Sequence, residues 1–440
     1  MLPSIVTPVP GPQSRHLAEK LARYEARTVT YLAENFPIFW ERAEGSNVWD
    51  VDGNCFLDLT SAFAVTGLGH SAEPVQTALI RQAGTLLHAM GDVHPARLKA
   101  ELCQKLSAVT FERWNAGLGK TFLANSGSEA VEAALKTAHL WSGKPGILSF
   151  TGAYHGLGYG ALAAGGLPYF REPFRAQLGA FSVQIPFPKA DGSDLKSIRR
   201  QIEQALHSNE IGCIIVEPVQ GRGGEVVPPH LFLSTLRDIC DEYDIVLILD
   251  EIYTGFNRTG KLFACEHFGV VPDIICLGKA LTGGFPLAAC VGRELVMDAW
   301  PHSPGEALHT STMLGNPLGC AMARAAIEEH LKPEVMRQAR MVGNRFREAL
   351  QSLKSPYIRQ VRGLGSMLGI ELVQENGEPF GALSVAIMMQ GLQDGLILLG
   401  GGPDGNVLSF SPSFYLSDPE IAFVREKLQE YLISLPGSVS

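Results

Sequence analysis

The chain has 440 residues, 46% hydrophobic and 18% charged, with 36 basic against 45 acidic residues and a formal charge of −9. That length exceeds what one hydrophobic core organises, so two domains, or one large α/β domain with an appendage, are expected. Charge is spread without a basic block, which removes the electrostatic case for nucleic acid or an anionic membrane as partner. No apolar run approaches the roughly 18 residues that cross a bilayer.

The opening stretch MLPSIVTPVPGPQSRH lacks the charged and apolar segments of a secretory signal. Its first dozen residues carry four prolines and are expected to be a lead-in that orders late or stays mobile. NVWDVDGNCFLDLT alternates apolar and polar residues around Asp52-Gly53, which predicts a hairpin. ARLKAELCQKL then places Leu98, Leu102 and Leu106 on one helical face. TFLA precedes NSGSEAVEAALKTAHLWSGKPG, a helix with a capping box from Ser126 to Glu129 and a stop at Gly143 and Pro145.

Short apolar runs follow: ILSF, CIIVE, IVLILD and DIICLG, with the amphipathic helix PHLFLSTLRDICDEY between two of them. Apolar strands separated by helices predict a mainly parallel sheet covered on both faces. Beyond residue 315, a helix opening at Pro317, strands in YIRQVRGLGSMLGIELV and a final helix in DPEIAFVREKLQEYL predict a smaller α+β domain. The eight cysteines contain no CxxC pair, and several lie inside apolar runs. They read as small buried hydrophobes of a reducing compartment, not as a disulfide or zinc framework, so a cytoplasmic enzyme without a metal site is expected.

Parallel sheets bind ligands beyond the carboxyl ends of their strands, so the polar residues just after each run matter most. NSGSEA opens a helix with Gly127 and the hydroxyls of Ser126 and Ser128, an anion site of phosphate size or an ordinary capped helix. ILD ends a strand at Asp250, and DIICLGK places Lys279 after the next. Singly, each has a bland reading: a helix cap, a solvated acid, a snorkelling lysine. Together, a phosphate cradle, a carboxylate and a lysine are the parts pyridoxal phosphate needs. The lysine supplies an amine for a Schiff base, the aspartate keeps the pyridine nitrogen protonated and the cradle fixes the ring.

With these blocks in order, and with YHG, VEPVQG, LDEIYTGFNRTG, HTSTMLGNPLGCA and VRGLGSMLGIEL among them, the sequence resembles the class III (ornithine/4-aminobutyrate type) pyridoxal-phosphate aminotransferases. The resemblance implies an α/β, fold-type-I transferase with a large, mainly parallel sheet domain and a smaller α+β domain. The expected division is an N-terminal segment over 1–60 that joins the small domain, a large cofactor-binding domain over 61–320 and a C-terminal small domain over 321–440. It implies an amino transfer between an amino-acid or amine donor and a carbonyl acceptor, in a homodimer or higher oligomer with a shared site. Lys279 would form the Schiff base and then shuttle the proton, and Asp250 would pair with the pyridinium. Gly127 and Ser128 would hold the phosphate with Thr312 of a second subunit. Tyr154 and Ile252 would cover the two ring faces, with His155 beside Tyr154, Tyr253 near the ring hydroxyl and Glu217 behind them.

Three positions depart from the ornithine and acetylornithine pattern. Leu157 stands where an arginine is common, Arg222 where a glutamate is, and Ser409 where the C-terminal block carries arginine. Arg222 is expected either to bind a substrate carboxylate or to pair with a nearby acid such as Glu225. Leu157 and Phe63 would make the substrate pocket more apolar. GLGYGA, with Gly156, Gly158 and Ala161, formally fits a dinucleotide fingerprint, but no acid stands about 20 residues on and no convincing helix opens there. Racemases, epimerases, a decarboxylase and an aminomutase sharing the same lysine and aspartate remain alternatives at this point, and so does a non-catalytic scaffold.

Overall fold

The computed structural model describes residues 1–190 and 194–438. After a first helix, Pro12–Tyr24, come three strands: β1 (Trp40–Glu44), β2 (Asn47–Asp50) and β3 (Cys55–Asp58). Strands β2 and β3 pair antiparallel around Gly53, whose φ of 88° suits a residue without a Cβ. The proline-rich lead-in is docked against the β3 side of this hairpin. Ser4 and Cys55 exchange backbone hydrogen bonds of 2.9 and 2.8 Å, and Asn54 Oδ1 accepts from the amides of Val6 and Thr7. Prolines leave this segment fewer amides to satisfy, and Asp52, accepting the amides of Gln13 and Ser14, and Gln393, donating to the Val9 carbonyl, hold it further along.

Seven strands form the central sheet: β4 (Gly119–Ala124), β5 (Gly146–Phe150), β6 (Ser182–Ile185), β7 (Ile211–Val216), β8 (Val246–Asp250), β9 (Ile274–Leu277) and β10 (Ala288–Arg293). Their order is β4-β10-β9-β8-β7-β5-β6. Strand β10 is antiparallel to both neighbours, and the remaining pairings are parallel. Since β10 alone reverses, β4 runs with the others, and the carboxyl ends of β4, β5, β7, β8 and β9 share one edge.

Alternate residues of each inner strand enter different cores. Leu247, Leu249, Ile214, Val216, Ile275 and Leu277 belong to one cluster, and Val246, Ile248, Cys213, Ile215, Ile274 and Cys276 to the other. A strand buried on both faces shows no polar alternation, which is why these runs are continuously apolar. The helix Gly127–Ser142 covers one face. Ser126 accepts from the Glu129 amide at 3.2 Å and Gly143 ends the helix with φ 67°. The reciprocal half of the capping box is redirected, since the Glu129 carboxylate takes the Asn125 amide at 2.9 Å.

The last strands are β11 (Ile358–Leu364), β12 (Met367–Leu372), β13 (Leu396–Ile397), β14 (Leu399–Gly401) and β15 (Val407–Phe410). Strands β11, β12, β15 and β14 make an antiparallel sheet, while β13 joins β3 in parallel, so chain-distant segments share the first sheet. No described helix is long and apolar enough to cross a membrane.

Candidate active site

The shared edge of the central sheet opens into a cavity of about 550 Å³. Each strand end delivers one part of its wall. After β4, the helix start brings Ser126, Gly127 and Ser128. After β5 come Tyr154, His155 and Leu157, and after β7 come Glu217 and Arg222. Asp250, Ile252 and Tyr253 follow β8, Lys279 follows β9, and Phe63 arrives from the turn after β3.

Lys279 adopts φ +45°, a conformation that costs an L-residue about 1–2 kcal/mol. Its partly buried ammonium lies 4.9 Å from the Tyr253 ring centroid. Among the described residues no carboxylate comes within 4.0 Å of it. Burial lowers its pKa, and the charge of Arg222 acts in the same direction, against the opposing pull of Asp250 and Glu217. The result is an amine biased toward its neutral, nucleophilic form.

Asp250 is held from two sides. His155 Nδ1 lies 2.7 Å from its Oδ2, and the Ile252 amide donates to Oδ1 at 3.1 Å. Burial works against a charged His155, but the bond to Asp250 and the charges of Asp250 and Glu217 outweigh it and raise its pKa. His155 Nε2 is buried with no hydrogen-bond partner among the described residues. Behind this pair Glu217 receives the amides of Tyr154 (2.9 Å) and Gly221 (3.0 Å), tying together two cavity loops. Burial pushes its pKa up to about 7.

At the helix start the Glu129 amide is taken by Ser126, while those of Gly127 and Ser128 have no acceptor within the helix. A Cβ at Gly127 would meet Ile252 Cδ1 at 2.8 Å, so a bare backbone is what this contact permits. The Ser128 hydroxyl accepts the Gly158 amide at 2.9 Å. An anion cradle, an acid able to face a ring nitrogen and an amine of lowered pKa thus converge on one volume. The residues present fit pyridoxal phosphate.

The sequence matches the family Aminotransferase class-III over residues 29–432. The chain belongs to the class-III aminotransferases. It is 34% identical to a 4-aminobutyrate aminotransferase of Mycobacterium leprae over 437 residues, 95% of each chain. It is also 34% identical to a putrescine aminotransferase of Pectobacterium atrosepticum over 422 residues, 94% of this chain and 86% of the other. An amine transaminase from an uncultivated Pseudomonas species, solved in its pyridoxal-phosphate-bound form, matches with a TM-score of 0.85 at 27% identity, covering 95% of this chain and 99% of that one. This class-III aminotransferase is therefore a pyridoxal-phosphate-dependent, fold-type-I enzyme that transfers amino groups between small molecules. The racemase, epimerase and decarboxylase alternatives fall away.

Two residues singled out in the sequence lie elsewhere in this class-III chain. Thr312 is exposed and outside the cavity of its own chain. Ser409 is buried on β15 and gives its hydroxyl to Glu225 at 2.9 Å, so it does not line the cavity. Tyr253 lines it, with its hydroxyl 3.3 Å from Ser411. Gly221 and Phe170 were not singled out in the sequence. Gly156 and Gly158 belong to the fingerprint-like GLGYGA, which has a different use. Gly156, at φ 120°, lets the loop close on Ser128, where a Cβ would approach within 2.6 Å. A short helix, Tyr159–Ala164, does open there. Phe170 carries no local signal, because only the folded chain brings its ring beside Arg222.

Proposed function

We propose that this enzyme uses Lys279 as the covalent anchor and proton carrier of a transamination, with Asp250 facing the ring nitrogen and Gly127 and Ser128 receiving the phosphate. Pyridoxal phosphate bound there supplies an aldehyde that exchanges with amines and a ring that accepts the electron pair released at the substrate carbon. The observation that carries the reading is a lysine of lowered pKa, with no carboxylate partner among the described residues, sharing one cavity with an aspartate locked by His155 and Ile252. Tyr154 and Ile252 are the candidates for the two ring faces, with Tyr253 beside them and Glu217 bracing the loops. With the cofactor bound, the neutral amine of Lys279 would be the group that takes and returns the proton beside the transferred nitrogen.

The donor class we infer is a primary amine at a chain end. 4-Aminobutyrate and putrescine, named for the two relatives, both carry one. Exposed Phe63 and Leu157 give the cavity mouth the apolar walls a methylene chain needs. The working form we infer is a homodimer in which Thr312 reaches the cavity of a second copy. In support, exposed Leu87, Met90, Val93, Leu308 and Met313 flank Thr312 on two loops joined by Asn316 to Leu87 (3.2 Å) and Thr310 to Asp92 (3.0 Å). The division at residues 60 and 320 remains our reading of the domains, and eight free cysteines support a cytoplasmic setting.

The test adds single amines to the holoenzyme without keto acid, over a panel of α-amino acids, ω-amino acids and simple amines. Bleaching of the yellow absorption with stoichiometric carbonyl product is expected for the terminal amines. Borohydride reduction followed by peptide mapping should place a phosphopyridoxyl label on Lys279. A label on another lysine would refute the assignment.

A further inference from the structure

Besides Lys279 the cavity is lined by a second cation, Arg222, to which amino transfer itself gives no direct contact. Arg222 sits near the tip of a closed loop, in which Gln220 and Val226 exchange backbone hydrogen bonds of 3.0 Å each. Within it the Gly221 carbonyl accepts the amides of Gly224 (2.8 Å) and Glu225 (3.2 Å), and Gly224 and Glu225 take φ of 101° and 50°. That reversal sends the two charged side chains opposite ways. Glu225 turns into the protein, 1% exposed, and binds Ser409. Arg222 turns out to the cavity. The acid that stood closest in sequence is therefore not its partner.

The guanidinium carbon lies 5.4 Å from the Tyr154 ring centroid and 5.2 Å from that of Phe170. Among the described residues no carboxylate lies within 4.0 Å of Arg222, and its side chain makes no hydrogen bond. Arg258 shows the contrast: it is fully buried and has Ser366 and the Pro412 carbonyl as partners. Aromatic rings attract the flat face of a guanidinium and leave its N–H edge unused. That edge matches a carboxylate with two parallel hydrogen bonds.

We propose that Arg222 recognises the carboxylate of a carboxylate-bearing substrate, the keto-acid acceptor foremost, with Tyr154 and Phe170 as the aromatic bed that keeps its donor edge toward the cavity. This rests on the transaminase reading of the same cavity and assigns its polar subsite. A carboxylate-free amine has no use for that edge, so one pocket can take an apolar donor and an acidic acceptor in turn.

The test compares, in the holoenzyme with one amine donor, the kcat/KM for pyruvate and for propanal. The pyruvate-to-propanal ratio should fall at least tenfold in R222A, carried by KM, and R222K should recover part of it, since a lysine keeps the charge but not the fork. F170A should lower the ratio by a smaller factor. A readout without turnover is calorimetric titration of the holoenzyme with glutarate, whose Kd should rise at least tenfold in R222A. An equal loss on both acceptors, or an unchanged ratio with unchanged glutarate affinity, overturns the proposal. If the unaltered holoenzyme transfers no amino group from any donor, the transaminase reading has failed, and the glutarate titration alone then decides the role of Arg222.

Discussion

Lys279 combines a strained left-handed backbone with partial burial and the lack of a carboxylate partner among the described residues, and the last two disfavour a charged amine there. Strain and desolvation of this kind persist where the surroundings over-determine the conformation, as β9 and the turn Lys279–Leu281 do here. The sign of the titration follows. Desolvation lowers the pKa, so the neutral amine is reached at a lower pH than the 10.5 of a free lysine. In the cofactor-free protein, the rate at which Lys279 is captured by an added aldehyde should rise with pH to a midpoint below 10.5. A midpoint at or above that value would mean the ammonium is solvated or paired. Asp250 and Lys279 were legible as residues because each follows an apolar run at a strand end. The His155 contact that orients Asp250 was not, since the two lie on different loops that meet only at the sheet edge.

At the scale of elements, the turn after β3 stands out. Ser61, Ala62, Phe63 and Ala64 all have positive φ, from 45° to 64°, with no glycine among them. Asp58 holds the turn by accepting the Thr60 amide at Oδ1 (2.8 Å) and the Ala62 amide at Oδ2 (3.0 Å), and His70 Nε2 lies 2.8 Å from that same Oδ2. The consequence is functional in place, because Phe63 is carried to the cavity wall. Ala62→Gly should stabilise the protein by about 0.5–1 kcal/mol. It removes a left-handed cost of about 1–2 kcal/mol and adds about 0.5–1 kcal/mol of unfolded-state entropy. Equilibrium denaturation reads the change, and a destabilised variant would contradict this account of the turn. Nothing in DLTSAFAV announces such a turn, since residues that favour right-handed or extended backbone are held left-handed by hydrogen bonds to Asp58. The helix Gly127–Ser142 is the opposite case: its cap, its periodicity and its glycine stop are all local, and all were readable.

For the whole molecule, the open question is assembly. Thr312 lies outside the cavity of its own chain, amid exposed apolar residues of the 87–93 and 308–313 loops. Light scattering on a size-exclusion column should give twice the 47.5 kDa chain mass. Met313→Glu together with Leu87→Glu should shift the population toward monomer and reduce cofactor retention, because two buried carboxylates would face an apolar contact. Monomeric wild-type protein with full activity would remove the shared-site reading.

The sequence alone carried the architecture and its chemistry. Continuous apolar runs separated by amphipathic helices specify a doubly covered parallel sheet, and such a sheet gathers its polar strand ends, here NSGSEA, Asp250 and Lys279, on one edge. Those signals are local, because side-chain periodicity and capping act within a few residues. Tertiary structure decided what depends on direction and on distant partners. It turned Glu225 inward to Ser409 and left Arg222 between Tyr154 and Phe170, and it docked the proline-rich lead-in on Asn54. The sign of φ in a turn and the identity of a neighbour 48 to 184 residues away are set by packing, which the order of residues in one stretch does not encode.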